Sequence, residues 1–364
     1  MKTTVWLLSV WLTLFGIHGF AQTLQPGFDK GEYLEILQMM AYVTAEENYY
    51  KDYPGPEFFR RNYQSPSLGF DNLWQLWVHH DGHTAVIAIR GSTQQGESWL
   101  ANLHAAMIPA QGEIVLGNDR VFNYNFSEHP HAAVHAGWTT ATAFLSFDVL
   151  PKIDSLYALG VRDFLVAGHS QGGAICYLLT AHLYDLRNNG RLPKDIRLKS
   201  YASASPKPGN LYFAYSFEAM TQEGWFFNVV NASDWVPEVP LSIQTLEDFN
   251  STNPFVLAKD VIKKQKFPRN VAYSYLYGRL NKPLIKARKR YRHYLGEVTG
   301  KRVAGMVPGY VAPDFYNSNN YVRTGTTIVL MPNEDYMQEF SVGKNDIFCH
   351  HHIKSYVYLA NRLP

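Results

Sequence analysis

The residues most able to do chemistry sit together at Gly168-His169-Ser170-Gln171-Gly172, with Gly173 behind them. A serine becomes a nucleophile when a sharp turn exposes its hydroxyl and a neighbouring base takes its proton. Glycines on both sides suit such a turn, because the missing Cβ admits strained backbone and close strand–helix contact. The flanks supply the required context. Phe164-Leu165-Val166-Ala167 is a short apolar strand, and Gly172 to Leu186 repeats its apolar residues with a helical period. A helix beginning here aims free N–H groups and positive potential at charge developing beside Ser170. Alone, the pattern also describes an inert glycine-rich turn; the strand before it and the helix after it favour the nucleophile.

A nucleophilic serine needs a base, and the base needs an orienting acid. The strand-like run Phe226 to Val230 leads into Asn231-Ala232-Ser233-Asp234, and Trp235-Val236-Pro237 ends it, so Asp234 is the candidate acid. The competing role for Asp234 is a cap or turn former. The candidate bases are His350, His351 and His352 near the C-terminus. Consecutive side chains point in different directions, so at most one of them meets a given serine. For the same reason three adjacent histidines are a poor cage for a metal, and no metal or organic cofactor is expected. His293 is a further candidate, but it lies in a basic stretch and reads as solvated.

The elements that must position these residues alternate along the chain. Asp29 to Tyr49 has helical spacing, and Leu73–His79 and Thr84–Ile89 read as a hairpin turning at Asp81-Gly82. Ala132 to Leu159 reads mostly helical, Leu198–Ala204 and Trp225–Val230 as strands, Thr326–Leu330 as a late strand, and Ile347–Leu363 as a final helix. Short apolar strands alternating with helices predict an α/β fold whose mostly parallel central sheet is flanked by helices. At the N-terminus, Met1-Lys2, an apolar run from Val5 to Ile17 and Gly19-Phe20-Ala21 form a signal-peptide pattern, with an uncleaved anchor as the alternative. The expectation is therefore a signal peptide over 1–21, one domain over 22–364, and a secreted or periplasmic protein. Hydrophobic residues at 46% and charged residues at 18% exclude a disordered chain. Beyond the N-terminus no apolar run is long enough for a membrane span. Cys176 and Cys349 pair or stay free; two cysteines make no disulfide framework.

Four segments together resemble the class 3 lipases, the family typified by fungal triacylglycerol lipases. Ile87-Ala88-Ile89-Arg90-Gly91-Ser92, followed by Trp99 to Leu103, is similar to the family's strand ending in Arg-Gly-Ser/Thr. Val134-His135-Ala136-Gly137-Trp138 resembles its His-x-Gly-Phe segment. Gly168 to Gly173 resembles its Gly-His-Ser-Leu-Gly-Gly elbow with Gln171 in place of Leu, and Asn231 to Pro240 its Asn-x-x-Asp-x-Val-Pro-x-x-Pro segment. The resemblance implies an α/β-hydrolase fold, with Ser170 as nucleophile, Asp234 as acid, and Ser92 and the N–H of Gln171 as oxyanion donors. The Gln171 side chain need not take part. The family's histidine followed five residues later by tyrosine matches His351 and Tyr356, which favours His351 over its two neighbours.

The departures are as informative. His351 lies 111 residues beyond Pro240, and an insertion over about 245–325 precedes the last strand. Its segment 259–302 carries eight Lys and six Arg against Asp260 and Glu297, so the chain's net charge of +2 conceals a strongly basic insertion. That segment reads either as a solvated helical surface or as a contact for an anionic membrane or lipid surface. No nucleic-acid module accompanies it, and nucleic acid is not expected as a partner. Trp99, Leu103, Met107 and Ile108 form an apolar side suited to a lid or to core packing. Tyr273, Tyr275 and Tyr277 suit a pocket lining or interior filling. The function these features imply is a secreted serine hydrolase acting on carboxylic esters, of lipids first. The alternatives are an esterase for small or polysaccharide-linked esters and a non-catalytic binding protein that keeps the fold.

Overall fold

The computed structural model describes residues 23–44, 51, 53–117, 120–341 and 346–364. The signal-peptide pattern and the C-terminal end of the helix expected over Asp29–Tyr49 lie outside these residues. The chain runs through α1 (Lys30–Val43), β1 (Phe59–Gln64), β2 (Trp74–His79), β3 (Thr84–Ile89) and α2 (Gly96–Leu103). Next come β4 (Met107–Pro109), β5 (Gln111–Leu116), β6 (Val121–Asn125), β7 (Ala133–His135), α3 (Ala136–Ala158), β8 (Asp163–His169) and α4 (Gln171–Asn188). The next group is β9 (Arg197–Ser203), β10 (Gly209–Asn210), α5 (Leu211–Met220) and β11 (Phe226–Asn231). The remainder is α6 (Ala258–Lys263), α7 (Arg269–Arg292), a π-helical turn His293–Val298, α8 (Thr299–Met306), β12 (Tyr310–Val311), β13 (Tyr321–Val322), β14 (Thr326–Leu330), α9 (Glu334–Glu339) and α10 (Ile353–Ala360).

Seven strands make the central sheet in the order β1-β2-β3-β8-β9-β11-β14. β3, β8, β9, β11 and β14 pair in parallel, while β1 and β2 add antiparallel at one edge. The parallel strands need apolar residues on both faces, because helices cover both. β3 illustrates the consequence of the two-residue side-chain period. Ala85, Ile87 and Ile89 join one hydrophobic core with Phe164 and Val166 of β8. Val86 and Ala88 join the opposite core with Leu165 and Ala167. The first core is completed by residues of α3 and α4, and the second by residues of α1 and α10. The mostly parallel sheet flanked by helices is an α/β-hydrolase architecture, with a basic helical insertion (α6–α8) before the last strand.

Two stretches differ from the sequence reading. The helix expected over Ala132–Leu159 begins only at Ala136, because Ala133–His135 pairs with β4 and β10 as β7. The final helix is shorter than Ile347–Leu363, running over Ile353–Ala360, so His350 and His351 lie in the turn that precedes it and His352 is its N-cap. Of the apolar residues suited to a lid or to core packing, Met107 and Ile108 take the packing role. They form β4 and are fully buried, while Trp99 and Leu103 remain partly exposed on α2.

Candidate active site

β8 ends at His169, and the chain reverses at Ser170 into α4. Ser170 adopts φ 61° and ψ −129°, a backbone state that L-residues seldom occupy. Its N–H donates to the Ser203 carbonyl at 3.0 Å, and its own carbonyl accepts from the Gly173 N–H at 2.9 Å, which hold the turn. The flanking glycines are required by contact. A Cβ at Gly168 would sit 2.1 Å from the Gly172 carbonyl oxygen, and one at Gly172 would sit 2.4 Å from that of Ile89. The helix therefore starts against the end of β3, and Ser170 faces a cavity of about 610 Å³ that Ser92, Gln171 and His351 also line.

His351 alone of the three consecutive histidines meets Asp234. Its Nδ1–H donates to Asp234 Oδ2 at 2.7 Å, which leaves the Nε2 lone pair on the other side of the ring. Among the described residues neither Nε2 nor the Ser170 hydroxyl has a hydrogen-bond partner, although both belong to the one cavity. The Asp234 carboxylate is buried and receives two further donors: the Tyr356 hydroxyl at 2.8 Å on Oδ2 and the Val236 N–H at 2.9 Å on Oδ1. Tyr356 in turn accepts the Asn231 N–H at 3.1 Å. This gives the five-residue spacing between His351 and Tyr356 a physical meaning, since α10 brings the phenol back onto the same carboxylate. His350 instead pairs its Nδ1 with the Tyr336 hydroxyl at 2.8 Å, and His352, half-buried at the cavity wall, reaches Asp346 at 3.1 Å. His293 pairs with Glu297 on the basic insertion and does not line the cavity.

His169, adjacent to Ser170, braces His351 from behind. It is fully enclosed, and burial, with His351 close by, pushes its pKa well below the usual histidine range, so the ring is neutral. Its Nε2 lies 2.7 Å from the His351 carbonyl oxygen, which can only accept, so Nε2 carries the proton. Nδ1 is then the acceptor for the Ser203 hydroxyl at 3.1 Å, and Ser203 accepts from the Tyr33 hydroxyl at 2.8 Å. A chain of hydrogen bonds from α1 thus fixes the backbone of His351.

On the opposite wall, Ser92 follows β3. Its hydroxyl accepts from Asn102 Nδ2 at 2.9 Å, and Asn102 Oδ1 accepts from the Trp138 indole N–H at 2.9 Å. Among the described residues neither the Ser92 N–H nor the Gln171 N–H has an acceptor, and both belong to residues lining the cavity. The Gln171 side chain has a structural engagement of its own. It is buried, donates from Nε2 to the Ser98 carbonyl at 3.1 Å, and accepts from the Ser98 hydroxyl at 3.2 Å, tying α2 to the elbow. Arg90 forms a 2.9 Å ion pair with Asp71, and the Thr93 hydroxyl donates to the same carboxylate at 2.7 Å, which anchors both sides of the Ser92 turn. Burial raises Asp71, but Ser67, Thr93 and Arg90 outweigh it and hold the group below the usual carboxylate range. Asp71 carries no sequence signal of its own, and although Asn102 and His169 fall within the segments that resemble the family's, what they do here rests on contacts with distant residues. Trp99, Leu103, Trp235, Leu241, Tyr291 and Leu295 give the cavity mostly apolar walls. Tyr273 and Tyr275 are exposed, and Tyr277 lines a separate cavity with Phe249 and Phe255. Cys176, buried, and Cys349 are both unpaired.

The strained serine elbow, the histidine on a buried carboxylate and the free N–H groups of Ser92 and Gln171 all gather at one end of this α/β-hydrolase sheet. Residues 86–243 match the family model of class 3 lipases. A secreted mono- and diacylglycerol lipase from Gibberella zeae is 31% identical over 104 residues, a stretch covering 29% of this chain and 29% of the relative. Among solved structures, the Lip2 lipase of Yarrowia lipolytica aligns with 60% of this chain and 77% of its own, at 20% identity and a TM-score of 0.44. The propeptide complex of Rhizomucor miehei lipase aligns over 59% and 65% respectively, at 20% identity and a TM-score of 0.42.

Proposed function

We propose that the chain is a serine hydrolase that cleaves carboxylic esters, of lipids, through an acyl-serine intermediate. The observation that carries this reading is the joining of Ser170, His351 and the Ser92 and Gln171 N–H groups around one apolar cavity, with Asp234 behind His351. His351 Nε2 takes the Ser170 proton as the hydroxyl oxygen attacks the ester carbonyl. Asp234 holds the Nδ1–H tautomer and stabilises the imidazolium. The oxyanion rests on the N–H groups of Ser92 and Gln171, each lowering the barrier by about 3 kcal/mol. Collapse expels the alcohol protonated by His351, and water activated by the same ring releases the acid. Apolar walls formed by Trp99, Leu103, Leu241 and Leu295 suit an acyl chain better than an acetyl group, which favours lipids over small esters. The N-terminal pattern and the secreted relative support export, with cleavage after Ala21.

A fluorophosphonate probe tests the chemistry. It is expected to label the protein and not Ser170→Ala; folded protein that takes no label would sink the reading in favour of a binding protein. Rates on long-chain emulsions against p-nitrophenyl acetate test the substrate class, and turnover of the acetate alone would replace the lipase with an esterase.

A further inference from the structure

The basic insertion projects a helix whose surface is divided along its length. α7 spans 24 residues, about 36 Å at the usual rise, and of these only Arg288 is buried. Arg288 anchors the C-terminal half through Glu247 and the Thr245 hydroxyl, both at 3.0 Å. On the opposite side, Val271, Tyr275, Arg279, Lys282, Lys286 and Lys289 recur at steps of three or four residues and so form one stripe. The N-terminal end of that stripe is apolar and continues into Phe267. Phe267 is 81% exposed and Tyr275 69% exposed, values that a water-facing surface gives no reason for. Leu257 and Val261 of the preceding segment are exposed beside them in sequence. The rest of the stripe is basic. Lys282, Lys286, Lys289 and Arg290 line an open groove of about 440 Å³ with Ile285, His293 and Tyr294, and no carboxylate belongs to its walls. Of the fourteen cations in 259–302, only Lys263, Arg288 and Arg292 form ion pairs with described residues. Among the described residues no helix is long and apolar enough to cross a membrane, so this surface would lie on a bilayer rather than span it.

We propose that α7 docks the protein on an anionic phospholipid bilayer. The apolar end around Phe267, Val271 and Tyr275 enters the interfacial layer, and the basic groove takes the phosphates of the headgroups. Apolar side chains next to a run of cations match such a surface in both of its components, whereas a soluble polyanion would use the charge alone. The helical rod also reaches the site: Tyr291, near its end, and Leu295, one turn further, line the cavity that holds Ser170. Docking would keep the cavity next to the lipid. This purpose rests on the lipid-hydrolase reading; the binding itself does not.

The test uses the mature chain carrying Ser170→Ala, so that no lipid is consumed, in co-sedimentation with vesicles of phosphatidylcholine alone or mixed with phosphatidylglycerol. Each cation near an anionic surface strengthens binding roughly fivefold. Binding to the anionic vesicles is expected to exceed binding to the neutral ones by tenfold or more and to weaken with salt. K282E/K286E/K289E/R290E should abolish that preference, and Lys282→Gln with Lys286→Gln should reduce it in the same direction. Phe267→Ser with Tyr275→Ser should weaken the attachment that survives high salt. With Ser170 restored, these variants should retain the parent's circular dichroism and its hydrolysis of a soluble short-chain ester. Equal binding to both vesicle types, or competition by soluble heparin that is indifferent to the apolar substitutions, overturns the proposal. Vesicle binding by a protein with no esterase activity would instead sink the hydrolase reading and leave the docking surface intact.

Discussion

At the scale of single residues, the site rests on what each side chain can donate or accept. Only His351 meets Asp234, so His351→Ala is expected to lower kcat by several orders of magnitude. His350→Ala and His352→Ala should each cost less than about tenfold, as neither touches the acid. Steady-state kinetics on a soluble ester decide it; equal losses from all three would remove the assignment. Tyr356→Phe leaves Asp234 Oδ2 with one donor fewer and the Asn231 N–H without its acceptor. A loss of about 1–3 kcal/mol of stability is expected in urea unfolding, since both partners are buried. The choice of serine was legible from five consecutive residues, because an elbow is local. The choice among three histidines was legible only through the resemblance's histidine–tyrosine spacing, because it depends on which of them the turn before α10 directs at a strand end more than a hundred residues away. The pairing of His351 with Tyr356 was visible as a spacing, but its cause, a shared carboxylate, required the fold.

At the scale of elements, the strand–elbow–helix unit is packed to contact. Gly172→Ala would place a methyl 2.4 Å from the Ile89 carbonyl oxygen, a rigid backbone atom that cannot swing aside. The expected penalty is about 3 kcal/mol or more, or failure to fold, read from the midpoint of thermal unfolding. A variant as stable as the parent would show that the elbow is looser than this packing requires. The Gln171 side chain ties α2 to the elbow through Ser98, so Gln171→Ala should lower kcat through mispositioning of the Ser92 turn while the main-chain donor remains. Restoration of that rate by Gln171→Glu, whose carboxylate cannot donate to the Ser98 carbonyl, would argue against this role. Strand periods predicted the layers well, because alternation of buried residues is set by the backbone pleat. The elements misjudged were those whose extent tertiary contacts decide. β7 exists because β4 and β10 flank it.

At the scale of the whole molecule, four histidines sit inside the protein without becoming charged. Burial pushes His104 and His182 down to about 4, and His135 and His169 well below the usual range. Their folded pKa values lie below the unfolded value near 6.5, so the unfolded chain binds more protons as the pH falls. Stability is therefore highest above about pH 6.5 and is lost progressively below it, by up to about 1.4 kcal/mol per pH unit for each such ring. Thermal unfolding across this range should show the decline, and a flat profile would contradict it. His182→Phe should make the slope shallower while keeping the ring contact with Phe122, whose centroid lies 4.8 Å away.

The sequence by itself determined the sheet class, the serine elbow, the segment carrying the acid and the concentration of positive charge before the last strand. All of these follow from neighbours within a few residues: backbone period, glycine placement and local charge. Only the tertiary structure decided which histidine faces Asp234, that His169 is neutral and braces the His351 carbonyl, that the Gln171 side chain holds α2, and that Arg288 of α7 turns inward onto Glu247 and Thr245. Each of these depends on the direction of a side chain relative to a distant part of the chain. That direction is set by packing, which one-dimensional spacing does not encode.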